Sequence, residues 1–105
     1  MSDDMPIEEW HDKCLLECPA WIIEKSVIFL SKNIPDDVKE QVKEEWKRDP
    51  NHWATPYHFS YGMFIRNQLR NNVCRDEELP TGNFDDYYVR FVELACGVIE
   101  VNDYK

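Results

Sequence analysis

Apolar residues recur along this chain at spacings of three and four, the pattern of helices that each bury one face. Five such segments stand out, and four of them open at a proline, where a helix can dispense with an N–H. The first runs from Pro6 to Glu17, with Ile7, Trp10, His11, Cys14, Leu15 and Cys18 on one side. The second runs from Pro19 to about Lys32 and carries a broad apolar face of Ile22, Ile23, Val27, Phe29 and Leu30. Trp21 and Ile28 fall on its other flank, so this helix is expected to be covered on more than one side. The third, from Pro35 to about Arg48, has only Val38, Val42 and Trp46 as an apolar stripe, so it should lie exposed on the domain. Its Asp36 and Asp37 in the first turn and Lys47 and Arg48 in the last complement the helix dipole.

The fourth segment opens with Thr55 as cap and Pro56 at the first position, and it places an arginine inside its own apolar face. At about 100° per residue, Ile65, His58, Leu69, Gly62, Val73, Arg66 and Phe59 fall in that order around one side. A guanidinium there is costly unless a carboxylate and further acceptors satisfy it. The fifth segment, from Asn83 to about Glu100, supplies a candidate. Its polar arc is confined to Glu100, Glu93, Asp86, Gly97 and Arg90, while Phe84, Tyr88, Phe91, Val92, Ala95, Val98 and Ile99 are apolar. Such a helix belongs at the centre of the domain. Asp85, in its first turn and on the border of the apolar side, is the expected partner of Arg66, with Asp86 in reserve. Two readings of Arg66 follow: a fold-fixing ion pair, or the floor of a pocket for an anionic ligand. Gly62 costs about 1 kcal/mol relative to alanine inside a helix, and close approach of another helix explains it. Tyr61, Phe64 and Asn67 point away from this face; Tyr61 and Phe64 are expected first to pack on neighbouring helices and, if left exposed, to form a protein-contact surface.

Composition narrows the architecture to an all-α single domain of about five helices spanning residues 1–105. The 105 residues are 43% hydrophobic and 13% aromatic, enough for a core, and three glycines are too few for a turn-rich all-β fold. The chain has no repeat or low-complexity stretch.

The net charge of −9, from 21 acidic against 12 basic residues, disfavours direct nucleic-acid binding, which needs cations to displace counterions. It serves solubility, and it could steer the protein toward a basic partner by imitating nucleic acid. The surfaces for that role are Asp36, Asp37, Glu40, Glu44 and Glu45 on the third helix and Asp76, Glu77 and Glu78 in the following loop. Met1-Ser2-Asp3-Asp4 is acidic where a signal peptide starts basic. The longest apolar run, Ala20 to Leu30, is broken by Glu24 and Lys25 and is too short for a membrane. A cytoplasmic location is expected, with Cys14, Cys18, Cys74 and Cys96 reduced.

Few residues carry recognisable chemistry. His11, Cys14 and Cys18 share a helical face and are the candidate metal ligands, with Cys74 or His58 as a fourth, although ordinary zinc sites use short-spaced ligand pairs. Buried cysteines also occur simply as small core residues. His52 and His58 flank an aromatic stretch from Trp53 to Tyr61, without a nucleophile elbow, phosphate loop or CxxC pair nearby. The expectation is a non-enzymatic protein-binding module without a cofactor. A small-ligand or metal-binding domain, built on Arg66 or on the His11, Cys14 and Cys18 face, is the alternative, and a small enzyme would need a deep pocket around His58 and Arg66. Exposed aromatics would also suit a homodimer.

Two motifs carry a family resemblance: His58-Phe59-x-x-Gly62-Met63-x-Ile65-Arg66-Asn67 and Leu79-Pro80-x-Gly82-Asn83-x-Asp85-Asp86-Tyr87-Tyr88. The pattern resembles a family of short bacterial and phage proteins, chiefly over the second half of the chain. The resemblance implies a small helical domain and a phage or prophage origin, and it carries no activity or catalytic residue. For a phage-encoded protein, the specific expectation is inhibition of a host or defence protein.

Overall fold

The computed structural model describes residues 7–100. Pro6, the acidic Met1–Asp4 start and the side chain of Ile7 lie outside the described residues. The fold is all-α. Its helices are α1 (Ile7–Glu17), α2 (Ala20–Asn33), α3 (Asp36–Arg48), α4 (Tyr61–Asn72) and α5 (Tyr88–Cys96). Short 3-10 turns at Thr55–Tyr57, Asp76–Glu78 and Phe84–Asp86 join them, with no strand among the described residues. No helix among these residues is long and apolar enough to cross a membrane.

α5 is the hub, packing against α1, α2, α3 and α4, with its broadest contact on α2. Ile22 and Leu30 of α2, Leu69 of α4, and Phe84 and Phe91 around α5 are the sealed centre. Pro19 and Pro35 stand just before α2 and α3, and their carbonyls accept the N–H groups of Ile23 and Lys39. α3 rests on α5, and a concavity lies along its inner side between α3, α4 and α5.

Three expectations change. The fourth helix starts at Tyr61, not Pro56, because the chain from Ala54 to Ser60 closes successive i→i−3 bonds instead of an α-turn. Phe59, placed on the inner face by a continuous helix, is therefore 83% exposed. The fifth helix is shorter at both ends. Asn83 accepts the N–H of Asp85 and holds a separate 3-10 turn. Gly97, at φ 78°, ends the helix in a left-handed cap in which Val98 N–H reaches the Glu93 carbonyl. Trp21 and Ile28 are half-exposed, so α2 is covered on one side only.

The largest departure is the polar arc of α5. Arg90 and Glu93 are buried, with Glu93 at 0% exposure. Arg90 donates to Asp12 on α1 through Nε at 3.0 Å and to Glu93 Oε1 through Nη1 at 2.6 Å. Trp53, from the turn after α3, donates its indole N–H to Glu93 Oε2 at 2.7 Å. Both carboxylate oxygens are thus satisfied. Burial nevertheless pushes the Glu93 carboxyl above its usual range, against the opposing pull of Arg90 and the Trp53 hydrogen bond.

Candidate functional site

The start of α5 meets the middle of α4 at Arg66. Arg66 is 5% exposed, and its Nε donates to Asp85 Oδ1 at 2.8 Å. Its Nη1 lies 3.0 Å from His58 Nδ1, and its guanidinium carbon stands 4.9 Å from the centre of the Tyr88 ring. A guanidinium can only donate, so His58 Nδ1 accepts and the imidazole carries its proton on Nε2. Tyr88 brings its hydroxyl to the same Nδ1 at 3.0 Å. Burial raises the Tyr88 hydroxyl above the usual phenol range, partly offset by Arg66. Gly62 makes this approach possible, since a Cβ there would lie 2.9 Å from both the Tyr88 hydroxyl and the Tyr57 carbonyl oxygen. Asp86, the reserve partner, instead accepts the Trp10 indole N–H at 3.0 Å.

Two concavities lie back to back on either side of a wall made by Trp53, Ala54 and Tyr88. One is an open groove of about 330 Å³ that gathers His11, His52, His58, Asp85 and Asp86 among apolar side chains. It brings the chain's three histidines together, although no cluster of His, Cys, Asp or Glu among the described residues has the spacing to hold a metal. The Nδ1 of His58 is already engaged by Arg66 and Tyr88. The expected His11, Cys14 and Cys18 face divides: His11 lines this groove, while both thiols are sealed in the core. Burial pushes Cys14 up to about 11 and Cys18 to about 12, so neither is a thiolate at neutral pH. The other concavity, of about 230 Å³, lies under α3 and is walled almost wholly by carbon.

The acidic candidates are largely engaged within their own elements. On α3, Asp36, Glu40, Glu44 and Glu45 each have a Lys or Arg three residues on, so five carboxylates stand beside four cations. Glu45 also accepts the Tyr57 hydroxyl at 2.7 Å. Asp76 takes the Nε of Arg70 at 2.7 Å, Glu78 accepts the Arg75 N–H, and Glu77 faces Arg75.

The outward face of α4 is different in kind. Ser60, Met63, Phe64, Asn67 and Asn71 form one exposed side. Phe64 is 52% and Met63 42% exposed, and Phe59 precedes them. Tyr61 stacks on Phe64 at 5.7 Å, and both border a shallow dimple of about 100 Å³ beside Phe29. Three large apolar side chains within six residues thus face solvent. Tyr61 packs half-buried against the core, as first expected, whereas Phe64 is exposed; Phe59 was not legible, because its exposure depends on the break before α4.

Set against known protein families, curated proteins and solved structures, the chain matches none of them.

Proposed function

We propose that this protein is a binding module that acts through protein contacts, with the outward face of α4 as its contact surface. The supporting observation is that Phe59, Met63 and Phe64, within six residues of sequence, are all exposed, with Tyr61 stacked on Phe64. Large apolar side chains grouped on a surface mark protein-contact sites, and aromatic residues are enriched among the anchors of protein interfaces. The resemblance to phage-borne proteins makes a host or defence protein the partner class. The acidic surface contributes attraction toward a basic partner, with its local charge reduced by the ion pairs along α3.

The test is affinity capture from a host lysate by the wild type and by a Phe59→Ser/Phe64→Ser variant, with folding checked by circular dichroism. A specific partner captured by the wild type and lost by the variant, at both low and high salt, is the expected outcome. Capture that survives the double substitution but is lost on charge reversal of Asp36, Asp37, Glu40, Glu44 and Glu45, and that falls steeply with salt, would move the surface to α3. Concentration-dependent self-association abolished by the same double substitution would make a second copy of the chain the partner.

A further inference from the structure

The concavity under α3 has a chemistry that the protein-contact reading leaves unused. It lies between α3, α4 and α5, and its walls are carbon: Val38 and Val42 from α3, Ile65 from α4, Val92 from α5. Gly62 also lines it. Of its polar lining residues, Gln41 is exposed and Glu45, Tyr57 and Tyr61 are half-buried, so the Gln41 side marks the mouth. There the Tyr57 hydroxyl donates to Glu45 at 2.7 Å and accepts a long 3.4 Å bond from Gln41. We infer that this cavity is a binding site for a small neutral aromatic molecule of one or two rings.

Size, polarity and charge each restrict the occupant. An apolar cavity of about 150 Å³ takes up benzene, so about 230 Å³ suits a fused bicycle such as indole. It falls short of the roughly 300 Å³ at which pockets for drug-sized ligands begin. Water gains little there, because carbon walls offer it no partners. Glu45 is the only charged residue in the lining, and its carboxylate already serves the Tyr57 hydroxyl and the Arg48 guanidinium. An anion would meet that carboxylate and a cation would have to displace Arg48, so a neutral ligand fits best.

The experiment is a titration of isotope-labelled full-length protein with indole, read by backbone and methyl chemical shifts and by thermal unfolding. Saturable shifts at Val42, Ile65 and Val92 are expected, with a melting temperature that rises with indole concentration. Val42→Phe and Val38→Phe each place a ring in the cavity, and a folded variant of either should lose the response. Indole-3-acetate should bind about tenfold more weakly, since it brings an unpaired charge to a carbon-lined site. The inference is overturned by an absence of saturable shifts up to the solubility of indole. It is equally overturned by shifts confined to Phe59 and Phe64, or by undiminished binding in both filled variants. Equal binding of indole-3-acetate would contradict the neutral-ligand assignment. The Phe59→Ser/Phe64→Ser variant should keep full indole binding, so this site and the α4 surface fail separately.

Discussion

Two regions of this molecule invert the usual partition of residues, and they do so with opposite outcomes. Around α5, three charged side chains are buried: Arg66, Arg90 and Glu93. On α4 and in the turn before it, three large apolar side chains are exposed: Phe59, Met63 and Phe64. The buried charges are matched within the chain. Arg66 has Asp85, His58 and the Tyr88 ring; Arg90 has Asp12 and Glu93; Glu93 has Trp53 as well. The exposed apolar group has no comparable cover, since Phe59 touches only the edge of His58 and Phe64 only the face of Tyr61 among ring contacts. An inversion satisfied internally explains a fold. One left unsatisfied points to something outside it.

Removing a buried cation should break the first region most severely. Arg90→Ala leaves Glu93 without its countercharge in a fully sealed site, at an expected cost of about 3–5 kcal/mol, read by urea unfolding. That is a large part of the roughly 5–15 kcal/mol that holds a domain together. Arg66→Ala should cost less, about 2–3 kcal/mol, because the orphaned Asp85 is already 40% exposed and regains water. A loss of ligand binding with unchanged stability would instead favour the anion-pocket reading of Arg66. Gly62→Ala leaves every charge in place but drives a methyl toward Tyr88 and the Tyr57 carbonyl; the same unfolding assay should show a loss of about 1–2 kcal/mol.

The acid–base behaviour of Glu93 sharpens the comparison further. Its folded carboxyl lies above the ordinary value of 4.5, so protonation favours the folded state. Its contribution is fully present below pH 4.5 and is lost as pH rises through the folded value. Relative to Glu93→Gln, the wild type should therefore be most stable near the acid end and lose ground toward neutrality, in unfolding curves taken across that range. An unchanged difference across the range would mean that Arg90 and Trp53 fully offset the burial.

The two regions were unequally legible in the sequence. Arg66 stood out because a helical wheel set it among Val73, Leu69 and Ile65, and Asp85 was a carboxylate on the border of the facing helix. Arg90 and Glu93 were assigned to solvent by the same geometry, since a wheel sorts polar from apolar but does not say how many neighbours surround a helix. α5 is enclosed on several sides, with α1 supplying Asp12 and the turn after α3 supplying Trp53. The spacing of Arg90 and Glu93, and a tryptophan whose N–H needs an acceptor when buried, were the available signals. Gly97 likewise marked the end of α5, three residues before the expected one. The break before α4 was harder to read, because Thr55-Pro56 suits the start of an α-helix and a 3-10 turn alike. That break exposes Phe59, and with it half of the candidate surface.

The central claim is that the outward face of α4 is displayed for a partner and does not support the fold. The Phe59→Ser/Phe64→Ser variant tests it most directly when unfolding free energy and partner capture are measured on the same preparation. The account requires stability within about 0.5 kcal/mol of the wild type, as for surface positions, together with loss of capture. A fall of about 2 kcal/mol or more, the scale of a core deletion, or capture that persists undiminished, would contradict it.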